Sequence, residues 1–235
     1  MKAWSTATAL AALVVGGLVA CGSAAEPEQP PSPSSASSSA SSATSATSPP
    51  SAAPTQPPTG AQPTIADYIK QAGITETKVK RGDPGSPTIT LPVPAGWRDA
   101  GPQTPQYAYQ AVVLNDPAAA ADPASVIALV SKLTGPVDAA KIFEFAPGEL
   151  NNLPGYNGAT EGKRGTLSGF DAVEVGGSYI SDGTQRMIAQ KTVVIPAADG
   201  SGLFVLQLNA NGQGGQMNQL LDAVSEIDTN TTITP

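Results

Sequence analysis

The chain has 235 residues, 12 basic and 19 acidic side chains, a net charge of −7, no histidine and one cysteine, Cys21. Without imidazole there is no Ser-His-Asp or Cys-His relay and no histidine metal ligand, and a single thiol forms neither an internal disulfide nor a thiolate metal cluster. The acidic balance, with no basic cluster beyond Lys78, Lys80 and Arg81, argues against nucleic acid as a partner.

Lys2 supplies a minimal positive n-region, and Ala7 to Gly17 form an apolar stretch too short for a permanent membrane span. Leu18-Val19-Ala20-Cys21 then resembles the bacterial lipobox, which implies export, cleavage before Cys21 and acylation of its thiol. Residues 1–20 are therefore expected to be a lipoprotein signal peptide. Residues 21–63 read as the lipidated cysteine and a disordered tether. From Gly22 to Pro63 the chain is Ser, Ala, Pro and Thr-rich, with no Leu, Ile, Val, Met or aromatic residue to bury. As polyproline II it would reach roughly 130 Å from the membrane. The globular part is expected over residues 64–235, long enough for one core.

Thr64 to Gly73 predicts a short helix. Thr64 is its N-cap, Asp67 closes a capping box, and Gly73 takes the left-handed position after the last turn. Residues 75–81 alternate weakly, and Gly82 to Pro87 make a turn. Ile89, Leu91 and Val93 alternate as a half-buried strand, and Tyr107 to Leu114 is the next strand. After an Asp/Ala/Pro loop over 116–123, Val126 to Val130 is apolar at every position, as is Leu203 to Leu206. Both are expected to be covered on both faces.

Val137 to Asn152 reads as helix split in two by Pro147. Strands follow at 165–180 and 184–195, with Asp182-Gly183 as their hairpin turn. A final helix runs from Gly215 to Ile227, with Met217, Leu220, Leu221, Val224 and Ile227 inward and Gln216, Asn218, Asp222 and Glu226 outward. The expected architecture is α+β, a largely antiparallel sheet between helices.

Several strings within this part are recognisable. They include Thr64-Ile65-Ala66-Asp67-Tyr68-Ile69, Gly82-Asp83-Pro84-Gly85-Ser86-Pro87-Thr88-Ile89, Phe145-Ala146-Pro147-Gly148-Glu149-Leu150 and Val205-Leu206-Gln207-Leu208-Asn209-Ala210. Together with Ser131 to Gly135, Gly176 to Tyr179 and Ala189 to Pro196, they resemble the LpqN lipoprotein family of mycobacteria. The resemblance implies a PsbP-like α/β/α sandwich in a high-GC actinobacterial envelope. It also implies an accessory role in export of mycolate-bearing glycolipids by large membrane transporters, and a role in contact with host proteins. It brings no catalytic motif.

Gly-x-Ser-x-Gly, Ser-x-x-Lys and the phosphate-cradling Gly-x-x-x-x-Gly-Lys are all missing from the chain. The expectation is a non-enzymatic, membrane-anchored protein with no cofactor. It would bind a glycolipid, a transporter or both; the alternative is an extracytoplasmic module that contacts host proteins. A glycolipid site needs rings for apolar surface and paired donors and acceptors for hydroxyls. Trp97, Tyr107 and Tyr109 are the candidates for an aromatic wall, and Gln207 and Asn209, on the strand face of Leu203 and Val205, for the hydroxyls. Gly176-Gly177, beside Tyr179, either opens room for a ligand or marks a bulge.

Overall fold

The computed structural model describes residues 60–235, so the signal sequence, Cys21 and the tether up to residue 59 lie outside the described residues. Helix α1 (Ile65–Ala72) is capped as its residues predict. Asp67 N–H donates to Thr64 Oγ1, Thr64 N–H donates back to the Asp67 carboxylate, and Gly73 has φ +64°. Domain contacts already begin upstream of Thr64. The Gln62 backbone N–H donates to Asn152 Oδ1 at 2.7 Å and the Asn152 amide returns a bond to Gln62 C=O at 2.8 Å.

β1 (Thr75–Val79), β2 (Thr88–Thr90), β3 (Trp97–Asp99), β4 (Gln110–Leu114) and β5 (Ser125–Thr134) follow. β2 is shorter than the alternation of Ile89, Leu91 and Val93 predicts, and Val93 is exposed. Similarly, β4 starts at Gln110 rather than Tyr107, because residues 105–108 close a turn through Ala108 N–H and Pro105 C=O.

Helix α2 (Ala139–Asn151) runs unbroken through Pro147, against the expected split. Pro147 leaves the Phe143 carbonyl without its helical donor, a defect of about 3 kcal/mol. Burial of Ile142, Phe143, Ala146 and Leu150 outweighs it, at about 1.5–3 kcal/mol for each large side chain. The Asp138 carboxylate caps the first turn by accepting from Ala140 N–H.

β6 (Asn157–Gly158), β7 (Lys163–Leu167), β8 (Phe170–Ser181), β9 (Thr184–Pro196) and β10 (Leu203–Gln213) complete the sheet. The single strand expected over 165–180 is two strands, since Ser168 (φ +51°) and Gly169 (φ +83°) form a tight hairpin turn. Asp182 (φ +50°) and Gly183 (φ +73°) make the corresponding turn between β8 and β9, as expected. The last elements are α3 (Met217–Asn230) and β11 (Thr232–Thr234).

Nine strands form one antiparallel sheet in the order β3-β4-β5-β10-β9-β8-β6, with β1 beside β5 and β7 beside β8. β2 and β11 pair separately. One face of the large sheet presents Val126, Val130, Leu206, Val193 and Ile195 to Leu220 and Ile227 of α3 and to Ile89 and Ile233 of the small sheet. On the other face Leu133, Val205, Val194 and Val173 pack against Ile65, Ile142, Phe143 and Ala146 of α1 and α2. The expected α+β sandwich is therefore present, with helices on both faces.

Two expectations about burial fail. On β5, Ile127 and Leu129 are only half-buried, because α1 and α2 cover one end of their face. On α3, Met217 and Leu221 face solvent, Leu221 at 58% exposure, whereas Gln216 is buried by donating to Asp122 C=O and accepting from Gln213 N–H.

Candidate binding face on the sheet

Where α1 and α2 stop, the sheet face continues as a polar track. Strand alternation puts Gln207, Asn209 and Asn211 of β10 on the side of Val205, and pairing with β9 sets Asn209 beside Gln190. Pairing with β5 sets Gln207 beside Leu129 and Asn209 beside Ile127. Amides and half-buried aliphatic side chains thus lie in adjacent rows.

Glu149, on the last turns of α2, organises one end of the track. A single carboxylate oxygen accepts from Gln190 Nε2 at 2.8 Å and from Gln207 Nε2 at 3.2 Å. Gln190 Nε2 also lies 3.0 Å from Asn209 Oδ1. The Gln190 side chain is 3% exposed, yet its Oε1 has no hydrogen-bond partner among the described residues. A buried acceptor left in that state costs about 1–3 kcal/mol until a donor reaches it.

At the far end, Asn211 donates to the Tyr179 hydroxyl at 2.8 Å and accepts from Arg186 Nε at 2.9 Å. Arg186 then forms an ion pair with Asp122, whose carboxylate also accepts from Gln213. The Arg186 guanidinium, followed by the Gln213 amide, holds the Asp122 carboxyl below its ordinary value, and Asp122 raises that of Arg186 in return.

Beside Gln207, a cleft of 80 Å³ runs under α1 between Ile65, Ile69, Leu129, Leu133 and Val205. Glu76 and Glu149 stand at its sides, and Ser131 Oγ donates to Glu76 at 2.6 Å. This volume accepts a few methylene groups, so a longer chain would extend over the half-buried aliphatic rows. By contrast, the gap beneath α3 is 20 Å³, about one water.

The structure brings Gln207 and Asn209 together and separates them from the aromatic candidates. Trp97 is 8% exposed in the core on the α3 side of the sheet, so it walls no site with Gln207. Tyr107 is 57% exposed in a turn. Tyr109 is buried on the Trp97 side, its hydroxyl within 3.3 Å of Pro87 C=O and Ile89 N–H. It borders a different groove of 490 Å³ with Arg81, Ser86, Thr88 and Thr90. The aromatic residue that hydrogen-bonds to the amide row is Tyr179.

Gly176-Gly177 holds no ligand space. A Cβ on Gly177 would stand 2.6 Å from Asn157 C=O, so Gly177 lets β6 approach β8, while a Cβ on Gly176 would meet Ile188 C=O of β9 at 3.1 Å. Tyr156 bridges that crossing with bonds to Ala159 and Gly176 C=O, and its burial raises the phenol's pKa. Glu149, Asn211 and Arg186 escaped sequence reasoning. Arg186 and Asn211 share parity with Gln207 across β9 and β10, a signal usable only once the strand register is known, whereas Glu149 on α2 carries no such signal.

A family described as probable lipoprotein LpqN matches residues 61–234. The chain belongs to the LpqN lipoprotein family. It is 51% identical over 176 residues to lipoprotein LpqN of Mycobacterium tuberculosis (strain ATCC 25618 / H37Rv), covering 75% of this chain and 76% of that protein. A crystal structure of LpqN involved in cell envelope biogenesis of Mycobacterium tuberculosis aligns at TM-score 0.71 and 50% identity, over 75% of this chain and 100% of the crystallised one.

Proposed function

We propose that the protein is a non-enzymatic lipoprotein of the cell envelope that holds a glycolipid on the uncovered sheet face. Residues 1–20 direct export, Cys21 carries the acyl anchor on the outer side of the cytoplasmic membrane, and residues 22–63 space the domain from it. The observation that carries the reading is the junction of an apolar cleft with the amide row Gln207, Asn209 and Asn211. Alkyl chain and sugar differ in what they need, and here the two environments adjoin. The chain end enters between Ile65, Ile69 and Leu129, while hydroxyls exchange bonds with the amides that begin at Gln207. The role described for the crystallised relative, cell envelope biogenesis, supports this reading. Delivery of such a cargo to a membrane transporter follows from the same reading.

The test is a calorimetric and NMR titration of residues 60–235 with a short-chain alkyl trehalose. Saturable binding with amide shifts on β9 and β10 is the expected outcome. Absence of saturation, or shifts confined to the groove beside Tyr109, overturns the placement. A second reading, contact with a protein partner, draws on Met217 and Leu221, which lie one turn apart and exposed on α3.

A further inference from the structure

β1 is an edge strand whose own sequence is complementary to a second copy of itself. Among the described residues it pairs only with β5, and Thr75, Glu76, Thr77 and Lys78 are all exposed. Such an edge offers a row of free N–H and C=O groups to any incoming strand. Charge usually blocks it; here it blocks some registers and favours one.

In an antiparallel pair, a residue pointing its N–H and C=O outward must face one that does the same. Two copies of one strand therefore centre on a residue, never between two. Centring on Glu76 sets two glutamates against each other, and centring on Lys78 sets two lysines together. Centring on Thr77 places Glu76 opposite the partner's Lys78 and Lys78 opposite the partner's Glu76. Both pairs lie on the face where Lys78 and Glu76 flank Ser131 and Leu133, the face of α1. This register holds whichever parity of β1 faces β5, and it overlaps all five residues of the strand. Lys78 makes no ion pair among the described residues, and Glu76 uses only one oxygen on Ser131.

We propose that β1 is the interface of a two-fold homodimer, joined edge to edge in the register centred on Thr77. An antiparallel two-fold runs perpendicular to the sheet, so both amide faces look the same way and the two clefts bordered by Glu76 adjoin the junction. Five paired residues make a small interface, so the association is weak and concentration-dependent.

Sedimentation equilibrium of residues 60–235 from micromolar to about millimolar protein tests it without any lipid, and so independently of the glycolipid reading. Wild type should approach twice the monomer mass. Glu76→Lys and Lys78→Glu, each turning two attractive cross-strand pairs repulsive, should weaken association about tenfold. The double variant Glu76→Lys/Lys78→Glu should restore it, a result that loss of a local contact would not give. Circular dichroism checks that each variant is folded. A wild-type monomer at every concentration overturns the proposal, as does a double variant no tighter than either single one.

Discussion

Trp97 and Gln207 lie on opposite faces of one sheet: the indole is packed among Val112, Leu114 and the α3-side core, and the amide reaches Glu149 of α2. A substitution at one should leave the chemistry of the other alone. Trp97→Ala is expected to cost about 3–5 kcal/mol of stability through lost burial and the cavity left behind. Gln207→Ala should change the unfolding midpoint little and weaken alkyl-trehalose binding severalfold. Urea denaturation and calorimetry on both variants separate these outcomes.

The path of the chain before α1 makes a second prediction. A Cβ on Gly148 would sit 2.0 Å from Pro63 C=O, so Gly148→Ala must push residues 62–63 off α2. The expected cost is about 1–3 kcal/mol, partly from strain and partly from the Gln62–Asn152 bonds. In a chain that begins at Thr64 the same substitution should be nearly neutral. A double-mutant cycle on urea midpoints measures the difference.

Asp122 ties the loop before β5 to Arg186 and Gln213. Its folded pKa lies below the ordinary 3.8, so the contribution to stability is complete above that value and is lost as pH falls through the lower folded one. The carboxylate is partly exposed, which keeps the effect modest. Asp122→Asn should lower the thermal midpoint at neutral pH, and the gap to wild type should close in strong acid. A gap that persists unchanged at about pH 2 would show that the carboxylate charge is not what holds the loop.

Cys21→Ala tests the anchor. Two or three acyl chains bind firmly, at about 0.8 kcal/mol for each buried methylene, where one chain is marginal. Mature wild type should enter the detergent phase on phase separation. The variant should remain an uncleaved precursor with no detergent-partitioning mature form, and mass spectrometry of the N-terminus identifies the processed species.

Features set by a few neighbouring residues are legible in the sequence alone. Thr64 and Asp67 determine where α1 starts, and Asp182-Gly183 determines the β8–β9 turn, because the groups that satisfy one another are two or three positions apart. Alternation along β10 likewise puts Gln207 and Asn209 on one face with Val205. Strand order lies beyond such reasoning. That β10 lies between β5 and β9, setting Asn209 between Ile127 and Gln190, depends on β10 pairing with a β5 that lies dozens of residues upstream. The same holds for Glu149, which meets two amides only because α2 packs across those strands, and for Pro147, whose local penalty is outweighed by the buried face of its helix. Local chemistry determined the elements and the parity of their side chains. Burial of the two sheet faces, a property of the whole domain, decided which of those side chains meet.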